Sequence, residues 1–176
     1  MASILSRAEF LVRFGGVYEH SPWIAESAWD TAVDTQRLTS PATLAAAMAG
    51  VVDSAAEADQ LALIRAHPDL AGKLAVAGEL TAESTSEQNS AGLDQCSVEE
   101  LEQFQTLNTR YVEKFAFPFV MAVRGSHRSD ILSAFARRLQ NSYAEEFATA
   151  ITEIHKIAHL RIEAQWDTAG LRTTTQ

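Results

Sequence analysis

The apolar positions of this chain recur at spacings of three and four, and the breaks between runs carry residues that start and stop helices. Ile4, Leu5, Ala8, Leu11 and Val12 keep helical spacing over residues 3–14, and Gly15-Gly16 stops them. Ser21-Pro22 and Ser40-Pro41 each set a capping side chain before a proline, whose missing amide costs nothing in a first helical turn. The second opens an alanine- and leucine-rich run ending near Val52. A further helix is predicted from Glu57 to His67, closed by Pro68, and a short piece from Asp69 to Ala77 closes at Gly78. Ser84-x-x-Glu87 and Ser97-x-x-Glu100 both fit the reciprocal cap in which a hydroxyl and a carboxylate satisfy two orphan amides. The second starts a long helix towards Phe117. Ser129 or Asp130 opens another, ending near Asn141, and the last runs from about Tyr143 to Trp166. Phe119 to Val123 alone has strand-like residues; between Pro118 and Gly125 it reads as an extended connector. The pattern predicts an all-α fold, a single compact bundle of roughly eight helices. It spans residues 1–170, with 171–176 as a frayed tail.

Composition narrows the function more than the fold. With 176 residues, 47% apolar and 21% charged, the chain is long and apolar enough for one domain with a substantial core. Its net charge of −9 and lack of a Lys/Arg block argue against nucleic acid and against an anionic membrane surface. A small anionic substrate stays open, since one local pocket can be cationic inside an acidic protein. Cys96 is the single cysteine; its acidic neighbours make it a passive thiol and point to a reducing compartment. No apolar run is long enough for a bilayer span. Arg7, Glu9 and Arg13 make the start read as a first helix rather than a signal peptide, and the closing Thr-Thr-Thr-Gln is not a peroxisomal address. Cytoplasm is the expected compartment.

Four features could carry chemistry. His67 continues the face of Leu61 and Ile64 and then meets Pro68. A partly desolvated imidazole at a helix end suits proton transfer, although a satisfied core histidine has the same pattern. On the final helix Phe147, Ile151, Ile154 and Ala158 step by three and four, and the next step lands on Arg161. A guanidinium on that stripe requires a carboxylate, from the protein or from a substrate, unless the stripe has already left the core there. Glu87 and Gln88 lie in a polar cluster with Ser84, Thr85, Ser86 and Asn89 that could serve a polar ring, while the cap pattern gives Glu87 a purely structural reading. His155 and His159 lie four apart, but the sequence between them lacks a zinc protease's glutamate and no third ligand stands nearby, so a surface pair rather than a metal site is expected.

The residues alone therefore give a helical domain and no reaction. Five segments together go further: Phe14-Gly15-Gly16-Val17-Tyr18-Glu19-His20-Ser21-Pro22-Trp23, Ala66-His67-Pro68-Asp69-Leu70, Ser84 to Gln88 followed by Gly92-Leu93, Phe115 to Arg124, and Glu153 to Ile162. In this order they resemble the 2-oxo-4-hydroxy-4-carboxy-5-ureidoimidazoline (OHCU) decarboxylase family over nearly the whole chain. The resemblance implies a cofactor-free decarboxylase that forms (S)-allantoin from a small-molecule substrate. His67 would be the proton donor, with Glu87 and Arg161 as the other catalytic groups. It places substrate contacts on Pro68, on Ser84, Thr85, Ser86, Glu87 and Gln88, and on the backbone of Phe119, Val120, Met121, Ala122 and Val123. It also brings a homodimer as an expectation, which the residues themselves neither support nor exclude. The rival readings are a non-catalytic helical module that binds ureide-like molecules and, behind it, a metal-dependent hydrolase built on His155 and His159.

Overall fold

A computed structural model describes residues 5–32, 38–72 and 77–168. Eight α-helices lie among them: α1 (Arg7–Phe14), α2 (Trp23–Ala32), α3 (Pro41–Asp53), α4 (Glu57–Ala66), α5 (Ala82–Ser90), α6 (Val98–Phe115), α7 (Arg128–Arg138) and α8 (Tyr143–Thr168). A 3-10 turn covers Leu93–Gln95, and no strand occurs among the described residues. The all-α expectation holds. No described helix is long and apolar enough to cross a membrane. The tail 171–176 and residues 73–76 of the short piece expected before Gly78 lie outside the described residues.

Half of the helix starts are those the sequence announces. Ser40 caps α3 in a reciprocal pair with Thr43, with Pro41 at its first position, and Ser97 does the same for α6 with Glu100. Four starts differ. The first helix opens at Arg7, capped by Ser6, and not at residue 3. Ser21 turns its hydroxyl back to the Glu19 carbonyl at 2.9 Å, and α2 begins at Trp23. The cap of α7 is His127, with Asp130 as its reciprocal partner, so that helix opens earlier than Ser129. The cap of α5 is Thr81, whose hydroxyl accepts from the Ser84 amide. Ser84 therefore lies inside the helix, and the expected Ser84–Glu87 cap does not form.

Contacts divide the chain into two compact units, residues 1–66 with 155–176, and residues 67–154. In the first, α1 packs on α2 and α2 on α3. Phe10 meets Trp29 with ring centroids 4.8 Å apart, and Phe14 meets Trp166 at 6.0 Å. In the second, the fully buried Tyr111 ring touches Phe115, Phe117, Phe119 and Phe135, so α6, the 117–119 connector and α7 share one aromatic cluster. Aromatic burial of this size is the largest apolar contribution a small unit can make.

Candidate active site

His67 follows the last residue of α4 and is 7% exposed, as its place on the Leu61–Ile64 face predicts. The turn after His67-Pro68 is held from two helices. Gln88 on α5 accepts from the Ala71 amide at 3.0 Å and donates to the Asp69 carbonyl at 3.4 Å. Asn108 on α6 donates to the Leu70 carbonyl at 2.9 Å. Those bonds hold Ala71 at φ 49°, a left-handed conformation that a residue with a Cβ adopts only when its surroundings impose it. Burial raises the Asp69 carboxyl above its ordinary value.

Helical spacing sorts the polar cluster of α5. Ser84 and Gln88 are buried and Glu87 is half-buried, all on one face, whereas Thr85 and Ser86 are exposed. Thr85 spends its hydroxyl on the Thr81 carbonyl. Without the cap role, Glu87 sits mid-helix on the same face as the amide that anchors the His67 turn. The sequence treated Gln88 only as a substrate contact. Its second task, fixing Asp69 to Ala71, joins residues 17 and 19 apart and has no local signature.

Residues 119–123 form a connector with neither helix nor strand. Phe119, Val120 and Val123 are buried, while Met121 and Ala122 are half-buried. The Phe119 ring stacks on Phe135, centroids 3.7 Å apart, and the Arg138 guanidinium lies 4.2 Å from its centroid. Arg138 Nη1 donates to the Val120 carbonyl at 2.7 Å, and the Ala122 amide donates to Glu153 Oε2 at 2.9 Å. Arg138 is itself paired with Glu146, its Nε donating at 3.2 and 3.0 Å. Nη2 approaches Oε2 at 2.9 Å in an ionic contact that lacks hydrogen-bond alignment. Glu146 also accepts from Tyr111 Oη and from Asn141 at 2.8 Å. Burial, and then the bond to Glu146, push the Tyr111 phenol well above its ordinary pKa.

Arg161 belongs to the other unit and is 3% exposed, so the stripe stays in the core to that point. Its partner is a protein carboxylate: Nη1 donates to Glu19 Oε2 at 2.7 Å, and Glu19 is 2% exposed. A second, longer bond reaches the Val17 carbonyl. Glu19 lies within the N-terminal string, but nothing local marked it as the counter-charge. His155 bonds Tyr18 Oη at 2.9 Å and Asp53 at 3.1 Å, and His159 pairs with Glu163. Among the described residues no three His, Cys, Asp or Glu groups are arranged to hold a metal. A broad groove of about 600 Å³ lies between α6 and α7, walled by Glu99, Glu102, Gln103, Thr106, Leu107 and Leu132. None of the candidate residues lines it, and its two carboxylates suit an anion poorly.

The sequence profile of the OHCU decarboxylase family matches residues 3–163. The chain belongs to that family. It is 44% identical over 153 residues to a 2-oxo-4-hydroxy-4-carboxy-5-ureidoimidazoline decarboxylase of Haloferax volcanii, covering 87% of this chain and 86% of that one. A protein of the same name from Halalkalicoccus jeotgali is 43% identical over 157 residues, covering 89% of this chain and 85% of the other. A crystal structure of (S)-allantoin synthase, 31% identical, superposes with a TM-score of 0.73 over 92% of this chain and 51% of that one, so the chain spans about half of that protein. Membership of the OHCU decarboxylase family thus covers both units and every candidate residue.

Proposed function

We propose that this chain decarboxylates OHCU to (S)-allantoin and carbon dioxide in urate degradation, without a cofactor. Besides family membership, one observation carries the reading: a buried imidazole, His67, precedes a turn pinned by the polar face of α5 that also bears Glu87. A proton donor needs a fixed position more than it needs strong binding, and that turn supplies it.

The chemistry suits such a site. The substrate carries a carboxylate and a hydroxyl on one ring carbon, next to an imine carbon bearing the ureido group. As the carbon–carboxylate bond breaks, its electron pair forms a double bond to that neighbour, and the imine nitrogen takes up a proton. The substrate is its own electron sink, which is the task a carbanion-stabilising cofactor would perform elsewhere. The resulting enol then gains a proton on the ureido-bearing carbon and loses one from its hydroxyl, giving the ring carbonyl of allantoin. Delivery from one face sets the enantiomer. In this reading His67 is that donor and Glu87 orients it or a ring nitrogen. Pro68, the Ser84–Gln88 face and the backbone of 119–123 hold the ring.

Arg161, already neutralised by Glu19, would hold ring oxygens rather than the departing carboxylate. A tight grip on that carboxylate would stabilise the ground state and slow its loss. A homodimer and a cytoplasmic location belong to the same reading, to be tested by sedimentation and fractionation.

The test generates the unstable substrate in the cuvette from urate with urate oxidase and hydroxyisourate hydrolase, then follows circular dichroism. A fast, protein-dependent signal of the (S) enantiomer is expected. His67→Asn should cost about 3–5 kcal/mol of transition-state stabilisation, a hundredfold or more in rate, with the fold intact. Racemic allantoin at the protein-free rate would leave a binding module in its place, and full activity in His67→Asn would remove His67 as donor.

A further inference from the structure

The connector 119–123 has neither a helix nor a strand to fix it, yet its backbone is tied down at chosen points. Arg138 takes the Val120 carbonyl, Glu153 takes the Ala122 amide, and the Ser126 amide donates to the Val123 carbonyl. Between those ties, the amides of Val120, Met121 and Val123 donate to no acceptor among the described residues. The strongest tie is a buried ion pair. Glu146 is 0% and Arg138 6% exposed, and the carboxylate is surrounded by three donors, from Arg138, Tyr111 and Asn141.

Stability alone is a poor reason for such a group. Desolvating two charges costs about as much as their attraction returns, and a well-packed apolar pair would serve as well or better. An apolar pair would not, however, grip a backbone carbonyl. The guanidinium does three things that need its planar fork: it pairs with Glu146, it bonds the Val120 carbonyl, and it lies over the Phe119 ring.

We propose that Arg138, held by Glu146, Tyr111 and Asn141, is a positioning residue that pre-orders the 119–123 backbone so that its unpaired amides meet the substrate ring. The proposal rests on the reading of 119–123 as a substrate-binding segment. Pre-ordering lowers the entropy lost on binding, so loosening the segment weakens binding by roughly tenfold, or about 1.4 kcal/mol, per residue released.

Arg138→Lys keeps the charge beside Glu146 but cannot reach Glu146 and Val120 in the same plane. In the coupled assay its KM is expected to rise at least about tenfold with kcat changed much less. Exchange of the Ala122 amide, the one bonded to Glu153, is expected to quicken while the α6 amides stay protected. A residue that only stabilises the fold would lower Tm and the active fraction and leave the KM of the surviving molecules unchanged. Tyr111→Phe, which removes one bond to Glu146 and keeps the ring, should move both readouts the same way by less; it carries the test if Arg138→Lys does not fold.

An unchanged KM overturns the proposal, whether or not exchange at 119–123 quickens. Inactive wild-type protein would instead overturn the proposed reaction. In that case exchange at 119–123, with and without added (S)-allantoin, decides the clamp: protection of Val120–Val123 by allantoin in the wild type and not in Arg138→Lys supports it, and equal behaviour of the two overturns it.

Discussion

The amide of Gln88 accepts from one backbone group and donates to another two residues away, which neither a carboxylate nor an apolar side chain of its size can do. Gln88→Leu keeps most of the volume but leaves the buried Ala71 amide without its acceptor. The expected loss is about 1–3 kcal/mol, read as a lower urea midpoint at unchanged m-value. Ala71→Gly relieves the φ of 49° and keeps the amide that Gln88 binds, but it also removes a buried methyl. It should leave turnover intact and stability within about 0.5 kcal/mol of the wild type, strain relief of about 1–2 kcal/mol being offset by chain entropy and the lost methyl. A Gln88→Leu protein as stable as the wild type would mean that the His67 turn is fixed by other contacts. At this scale the sequence was only partly informative. The spacing Leu61–Ile64–His67 placed the imidazole at the core edge correctly, because burial follows helical period. The bond from Gln88 to Ala71 spans 17 residues, and no periodicity carries a contact of that length.

Three helices begin with the same device, a serine that exchanges hydrogen bonds with a glutamate three residues on: Ser6–Glu9 for α1, Ser97–Glu100 for α6 and Ser142–Glu145 for α8. The carboxyls of Glu9 and Glu145 are held below their ordinary value by bonds to the serine hydroxyl and amide, and that of Glu100 by the Ser97 amide and then by Arg128. A carboxyl lowered in the folded state contributes stability above its unfolded pKa and loses it as pH falls through the folded one. Asp69 works the other way: burial raises it, so its contribution is present at low pH and is lost as pH rises through its folded value. The wild type should therefore lose thermal stability as pH falls below about 4.5, and a Glu9→Gln/Glu100→Gln/Glu145→Gln protein should show a flatter acid limb in Tm. A limb of equal slope in both would assign acid sensitivity to other groups. Caps are local and so partly legible: Ser40 and Ser97 sit where the sequence puts them, while the Ser6–Glu9 and Ser142–Glu145 pairs have the same pattern and were not read from it. The start of α5 was misread because Thr81, three residues before Ser84, is an equally good cap. Arg138 and Glu146 each continue an apolar stripe, with Ile131, Ala134 and Phe135 on α7 and with Ala150 and Ile154 on α8. That pattern marks two buried charges as surely as it marked Arg161. It does not say that the two meet.

The whole molecule is acidic, and the proposed substrate is an anion, so catalysis has to come from local groups rather than from the field of the chain. In the proposed reaction those groups need only deliver protons and hold a ring, because the imine of the substrate accepts the electrons that carbon dioxide leaves behind. The remaining rival at this scale uses His155 and His159 as metal ligands. Both imidazoles already have protein partners that point elsewhere: His155 lies between Tyr18 and Asp53, and His159 faces Glu163. For both to turn to one ion, the bonds from Tyr18 and Asp53 to His155 would have to break. Protein treated with a strong chelator and dialysed exhaustively should therefore turn over OHCU within about twofold of the untreated rate, and added zinc should restore nothing, since the proposed reaction uses no Lewis acid. The chelator must be removed before the assay, because hydroxyisourate hydrolase and urate oxidase share the cuvette. If turnover instead collapses on chelation and zinc alone revives it, His155→Ala decides the matter. Loss of zinc binding and activity together in that variant would transfer the chemistry from the His67 turn to the last helix.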